Sequence, residues 1–196
     1  MSPCLSSPLH CFGEAKMKFT IVFAGLLGIS LVPAFSGYSI NVNDNSNSDD
    51  SGRQSVSINN AHNVANVDNN NGWDSWNSIW DYNSNFAAIR LFRKKMCVVH
   101  RMNKEVMPSL QALGALAKQK RPEGPPPKGL MYTVNSDRVD DLDRFGKPIS
   151  VMCKGIPTYV AEENEGASLF VFSEKCANFD VLWILNISLC GGRMED

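Results

Sequence analysis

Residues 86–102 read FAAIRLFRKKMCVVHRM, two apolar runs separated by three basic residues. Apolar runs of this length are typical of β-strands, and a short polar break between them is typical of a hairpin turn. Residues 86–92 and 96–102 are therefore predicted to pair as strands joined by the turn 93–95. The basic run starting at Arg90 also fits a proprotein-convertase cleavage site, but cleavage there would sever the strand pair, which favours the turn.

The segment before this hairpin is rich in tryptophan and reads WDSWNSIW at 73–80. Trp73, Trp76 and Trp80 are spaced i, i+3 and i+7, which predicts one face of a helix. Core packing is the default interpretation of such a stripe. The functional alternative is a platform that binds carbohydrate or peptide.

A helix is predicted after the hairpin. Pro108 suits a first helical turn, and apolar residues within 110–117 recur every three or four positions until Pro122. The proline-rich stretch 122–129 is predicted to be an exposed spacer.

A third strand at 129–134 and a second helix are expected next. The helix is predicted to begin near Ser136 or Asp137, to be interrupted at Gly146 and Pro148, and to resume as far as Cys153. Its buried stripe would contain Val139, Leu142 and Phe145. The acidic residues at its start lack the spacing of an EF-hand loop, so they are interpreted as helix-capping groups rather than as a calcium site.

Three further strands are predicted at 156–161, 168–173 and 181–190. In the last of these, alternate residues are apolar, and Asn186 lies on the opposite, wetter face. Asn186-Ile187-Ser188 is a glycosylation sequon, which makes Asn186 a possible glycosylation site.

The first 36 residues contain the features of an export signal. Two lysines precede an apolar run at 19–32, and Ala34-Phe35-Ser36 has the small-x-small form of a cleavage site. The apolar run is short for a membrane span, so no stable membrane anchor is expected. We assign 1–36 to an N-terminal extension and signal peptide, with translation starting at Met17.

Residues 37–69 form an asparagine-rich leader. Their composition offers little apolar surface to bury, which favours a flexible segment. Short apolar alternations, first at Tyr38, Ile40 and Val42 and then at Val56 and Ile58, leave one or two strands as the alternative.

Composition and cysteine content limit the function classes. A net charge of −1 over 196 residues gives no global field for nucleic acid. In an oxidising compartment the four cysteines after the signal should pair, with three connectivities open; they are Cys97, Cys153, Cys176 and Cys190. No metal-ligand spacing, cofactor motif or catalytic signature is present, so neither a metal nor a cofactor nor an enzymatic activity is expected.

Four motifs follow one another along the chain. Asp81-Tyr82 is followed by the hairpin that carries Cys97, then by MPSLQAL, and then by CKGIPTY, which begins at Cys153. Together these motifs resemble the BRICHOS domain. The leader and the stretch PPPKGLMY are further similar to the gastrokine family. On this resemblance we assign 70–163 to the BRICHOS domain and 164–196 to C-terminal strands.

The resemblance implies an α+β fold in which a central sheet of about five strands is covered by two helices. It also implies a Cys97–Cys153 disulfide, which leaves Cys176 to pair with Cys190. Asp81 corresponds to the family's single acidic hallmark. A lone carboxylate without a partner base does not support hydrolysis, so a structural role is preferred.

The family also supplies the functional expectation. It implies a protein secreted through the ER, Golgi and secretory granules that regulates growth and helps maintain the gastric epithelium. Its partner would be an epithelial cell-surface receptor. The alternative is an extracellular BRICHOS chaperone whose client is a β-prone peptide.

Overall fold

Ten strands and two α-helices make up the described part of the chain. The computed structural model describes residues 37–42, 53–119, 128–164, 176–192 and 194, all within the unit Ser36–Asp196. The signal segment, most of the proline-rich spacer and the strand predicted at 168–173 lie outside these residues. The start at Met17 and the domain boundaries remain predictions.

The strands are β1 (Tyr38–Val42), β2 (Arg53–Asn59), β3 (Val64–Asn70), β4 (Trp76–Asp81), β5 (Phe86–Leu91), β6 (Met96–Arg101), β7 (Gly129–Arg138), β8 (Thr158–Glu163), β9 (Cys176–Val181) and β10 (Leu185–Cys190). The helices are α1 (Leu110–Leu116) and α2 (Lys147–Cys153), and short 3-10 turns occur at Gly72–Asp74 and Asp143–Phe145. None of these helices is long and apolar enough to cross a membrane.

All ten strands belong to one sheet in the order β1-β2-β3-β4-β5-β6-β8-β7-β10-β9. Only β6–β8 and β7–β10 pair in parallel. The expectation of about five strands is wrong, because strands from both flanks of the central hairpin extend the same sheet.

The amino-terminal strands correct the prediction of a flexible leader. Val56 and Ile58 on β2 and Ala65 and Val67 on β3 are buried. The polar residues between them alternate towards the other face, so this asparagine-rich segment still supplies one apolar face. The interpretation as strands is therefore the correct one for residues 53–70.

The sheet has two unequal faces. Its inner face carries the larger core, to which α1 adds Leu110 and Leu113. Ser109 caps α1, because its Oγ accepts a hydrogen bond from the Ala112 N–H at 3.2 Å. The outer face carries a smaller cluster covered by α2.

Curling of the sheet brings β2 and β4 close to the edge strand β9 around the inner face. Gln54 Nε2 on β2 donates to the carbonyl oxygen of Asp180 at 2.7 Å, and the Leu182 N–H donates to Gln54 Oε1 at 2.7 Å. The rings of Trp76 and Phe179 also meet edge to face, with centroids 5.9 Å apart. Side chains thus join strands that lie far apart in the strand order.

The tryptophan segment is a strand rather than the predicted helix. Trp76 and Trp80 both lie on the inner face of β4, where Trp80 Nε1 donates to Ser78 Oγ at 3.0 Å. A separation of four residues places two side chains on one face of either a helix or a strand, so the spacing was ambiguous. Trp73 lies before the strand and is 85% exposed.

The second predicted helix also begins later than expected. β7 continues to Arg138, and the Val139 N–H donates to the carbonyl oxygen of Thr158 at 2.8 Å, so this region is strand-like. Val139 and Leu142 nevertheless pack against the outer cluster, and Phe145 is part of it. The burial pattern was therefore correct, but its helical interpretation was wrong before Asp143, where the short 3-10 turn begins.

Of the strand predicted at 181–190, residues 185–190 form one strand, whereas Val181 is the last residue of the preceding strand. β9 ends at Val181, Leu182 adopts a positive φ of 53°, and β10 begins at Leu185. The turn contains neither glycine nor proline, so no local signal indicated it.

Two tryptophan substitutions test the assignment of this segment. Trp80→Ala should lower the free energy of unfolding by about 3–5 kcal/mol, because it removes a fully buried side chain. Trp73→Ala should change it by less than about 0.5 kcal/mol. Guanidinium unfolding of both variants measures the difference, and similar losses would contradict the strand assignment.

Candidate functional site

The contact between the β4–β5 turn and the start of α2 forms the candidate site, here called the Asp81 site. β4 ends at Asp81, and Gly146 immediately precedes α2. Gly146 has φ +99°, which disfavours other residues, and Pro148 fits the first helical turn that follows. The local sequence therefore sets the direction in which α2 leaves the turn.

The carboxylate of Asp81 is almost completely buried, at 3% exposure. Its Oδ1 accepts hydrogen bonds from the Asn83 N–H at 3.0 Å and the Ser84 N–H at 3.3 Å. Its Oδ2 faces Gly146 so closely that a Cβ at residue 146 would collide with it and would lie 3.1 Å from Ser84 Oγ. Asp81 thus organises the turn and also sets how closely α2 approaches it.

A disulfide fixes the other end of α2. Cys153, the last helical residue, is bonded to Cys97 on β6, with their Cα atoms 5.8 Å apart. Both cysteines are fully buried. The pair is the one that the family resemblance implies.

Between these two ends α2 covers apolar side chains of the sheet. Ile149 and Met152 belong to the same cluster as Ala88 and Val99 on β5 and β6. Phe145 meets Phe86 edge to face, with ring centroids 5.1 Å apart. The site is therefore an apolar area of the sheet under a helix held at both ends.

The contacts of the Asp81 carboxylate agree with the structural role expected for it, which remains a prediction. Its carboxylate contacts backbone N–H groups and a glycine, an arrangement that positions α2. Within the described ranges, no three His, Cys, Asp or Glu side chains come together in a group suited to a metal ion.

The remaining predicted site residues lie apart from Asp81. Cys176 and Cys190 form a second disulfide across β9 and β10. Asn186 is half-buried on the outer face, and its Nδ2, the atom that would carry a glycan, donates to Asp180 Oδ1 at 2.7 Å. Glycosylation of Asn186 remains a prediction. Of the three tryptophans, only Trp73 is available to a partner at the surface.

His100 is an unexpected polar group in the inner core. Its Nδ1 donates to the carbonyl oxygen of Arg101 at 3.0 Å, and its ring lies 4.2 Å from that of Tyr132. Its Nε2 is buried without a hydrogen-bond partner. Burial lowers the pKa of His100 to about 4, and the hydrogen bond to Arg101 opposes this shift. Burial and the nearby charge of Glu163 raise the pKa of Tyr132.

The lowered pKa of His100 predicts acid sensitivity. His100 binds a proton near pH 6.5 in the unfolded chain but only near pH 4 in the folded chain. The contribution of neutral His100 to the free energy of unfolding is therefore complete above pH 6.5 and decreases as the pH falls from 6.5 to 4. The loss should reach about 3 kcal/mol. Chemical unfolding at pH 4 to 7 measures it. His100→Asn, which keeps a donor for the Arg101 carbonyl, should remove this pH-dependent loss of stability. An unchanged pH dependence in this variant would contradict the assignment of the loss to His100.

Three of these residues carried no recognisable signal in the sequence. Gly146 was interpreted only as an interruption of a helix, and its contact with Asp81 depends on chain packing. His100 stands within an apolar run, which indicated a strand but not an unpartnered ring nitrogen. Gln54 lies in the leader, and its link to β9 requires the curl of the sheet.

Comparison with known proteins agrees with these motifs. The BRICHOS domain family matches residues 72–160. Gastrokine-1 of Homo sapiens is 65% identical over 185 residues, which cover 92% of this chain and 100% of that protein. Gastrokine-1 of Mus musculus is 57% identical, with coverage of 91% and 99%, and Gastrokine-3 of Mus musculus is 32% identical, with coverage of 94% and 97%. No solved structure matches the chain.

Proposed function

The chain belongs to the gastrokine family, and we propose on this basis that it is a secreted protein of the gastric mucosa that regulates growth of the epithelium and helps maintain its integrity. The similarity to Gastrokine-1 over nearly the whole chain carries this proposal.

The cysteine chemistry supports the proposed route of export. Both disulfides require an oxidising environment, which the ER provides and the cytosol does not. The predicted signal segment at 1–36 would direct the chain there. Passage through the Golgi into secretory granules is the family's implied route.

Growth regulation in this proposal acts through binding to an epithelial cell-surface receptor. A receptor needs a fixed surface, and the Cys97–Cys153 disulfide holds the sheet and α2 in one arrangement. Its sequence separation of 56 residues corresponds to about 4 kcal/mol of stabilisation by restriction of the unfolded chain.

Removal of this disulfide tests secretion and growth regulation together. The double variant Cys97→Ser with Cys153→Ser should be retained in the cell, whereas Val151→Ala, a change at an exposed site on α2, should be secreted normally. Secreted wild-type protein and Val151→Ala should raise DNA synthesis and transepithelial resistance of gastric epithelial cultures equally. Failure of the purified wild-type protein to change either quantity would contradict the proposal.

The construction of the Asp81 site favours a second candidate function, a chaperone for β-prone segments. α2 has only seven residues and covers apolar side chains of the outer face between its two fixed ends. A displacement of its first turn would uncover Ile79 and Phe86, which pack against that cluster. An extended apolar peptide would then find an apolar sheet surface.

Two glycines that flank α2 provide a matched test of this candidate. Gly146 and Gly155 both have positive φ, but only a Cβ at residue 146 meets Asp81, whereas one at residue 155 meets nothing within 4 Å. Gly146→Ala should lower stability by about 1–3 kcal/mol more than Gly155→Ala, because it pushes α2 from the turn.

The variants Gly146→Ala and Gly155→Ala should also differ in how strongly they delay fibril formation. If α2 covers the client surface, Gly146→Ala should prolong the thioflavin lag time of an amyloid-forming peptide more than Gly155→Ala does. Equal lag times in the two variants, with intact disulfides, would contradict the chaperone candidate.

A further inference from the structure

Two turns at one end of the sheet form a joint surface, here called the Trp73 end. One turn, 71–75, connects β3 to β4, and the other, 92–95, connects β5 to β6. The Phe92 N–H donates to the carbonyl oxygen of Ser75 at 3.4 Å, and Arg93 Nη1 lies 3.3 Å from Asp74 Oδ1. These contacts hold the two turns next to each other.

Exposed aromatic rings are concentrated at this surface. Trp73 is 85% exposed and Phe92 44% exposed. Among the described residues the other large hydrophobic side chain with comparable exposure is Val151, which lies on α2. Large exposed aromatic side chains on adjacent turns are typical of a binding surface.

Several basic residues lie at the same end of the sheet as these rings, although the whole chain has a net charge of −1. They are Arg53, Arg90, Arg93, Lys94 and Lys95. Arg53 pairs with Asn70 where β3 enters the first turn, and Lys94 Nζ donates to the carbonyl oxygen of Met194 at 3.2 Å. The positive charge is therefore local, and the rest of the chain is net negative.

Neighbouring contacts shape this positive surface. The guanidinium of Arg90 lies over the ring of Phe92, 5.1 Å from its centroid. Asp74, the acidic residue in the two turns, is paired with Arg93. Asn77 on β4 lies between Arg90 on β5 and Asp68 on β3. The carboxylate of Asp68 accepts hydrogen bonds from the side chains of Asn66 and Asn77. These two carboxylates, Asp74 and Asp68, are thus engaged by side chains of the protein.

We propose that the Trp73 end binds a sulfated oligosaccharide. The C–H face of a pyranose ring is apolar and packs flat on an indole such as that of Trp73. Sulfate groups on the same oligosaccharide match the guanidinium group of Arg90, because guanidinium groups donate paired hydrogen bonds to tetrahedral or planar oxyanions. The basic residues lie on β2, on β5 and in the β5–β6 turn, so we expect them to contact several sulfate groups of one short oligosaccharide.

The charge distribution favours a short sulfated chain over other polyanions. A long nucleic acid or an anionic membrane would also contact the rest of the protein, whose net charge is negative, and would be repelled there. A neutral sugar would make no use of the positive charges of Arg90 and Lys95.

Calorimetric titration of the secreted protein with a heparin-derived octasaccharide tests the proposal. Binding should be saturable and should weaken with salt. Trp73→Ala, Arg90→Gln and Lys95→Gln should each weaken it by about 3- to 10-fold, whereas Trp73→Phe should keep most of the affinity. Lys104→Gln, an exposed charge at the opposite end of β6, and Val151→Ala should change it less than about 2-fold.

Titration with other ligands shows which class of molecule the Trp73 end binds. The unsulfated octasaccharide, a single-stranded oligonucleotide of equal charge and phosphatidylserine vesicles should each bind at least about 10-fold more weakly. Equal affinity for any of them, or unchanged octasaccharide binding by Trp73→Ala and Arg90→Gln with unaltered thermal unfolding, would overturn the proposal. The test does not depend on the growth-regulating activity.

Discussion

The position of α2 depends on restraints at both of its ends. A helix of seven residues is far too short to be stable alone. The free energy needed to nucleate it exceeds the free energy gained from the hydrogen bonds of two helical turns. The Cys97–Cys153 disulfide fixes its last residue to β6, and the close approach of Asp81 to Gly146 limits where its first turn can lie. These two features and the packing of Ile149 and Met152 together place α2 on the outer face.

The two faces of the sheet then differ in how easily they can be uncovered. On the inner face, side chains from both edges and α1 share one large core, and Gln54 connects β2 to the backbone of β9. On the outer face, polar ladders such as Asn66 with Asn77 and Asn186 with Asp180 surround the small cluster under α2. Loss of one end of α2 would expose that cluster while the inner core stayed intact.

Local patterns predicted the parts of this fold that depend on local structure. The hairpin at 86–102, α1 and the burial of Phe145 follow from apolar spacing within a few residues. Trp76 and Trp80 were misassigned because a four-residue separation fits both a helix and a strand. The contact of Asp81 with Gly146 and the isolated Nε2 of His100 depend on packing between distant segments, for which hydrophobic periodicity contains no information.

The same limitation applies to electrostatics. A net charge of −1 excludes a strong field around the whole molecule, but it says nothing about how the charges are distributed. Strand register places Arg53 beside the end of β3 and Arg90 beside Asn77, and the turn contacts bring Arg93 to Asp74. The antiparallel connections gather basic residues from separate segments at one end of the sheet, next to the exposed ring of Trp73. A nearly neutral chain can therefore present a cationic surface, because pairing of the strands decides which charges become neighbours.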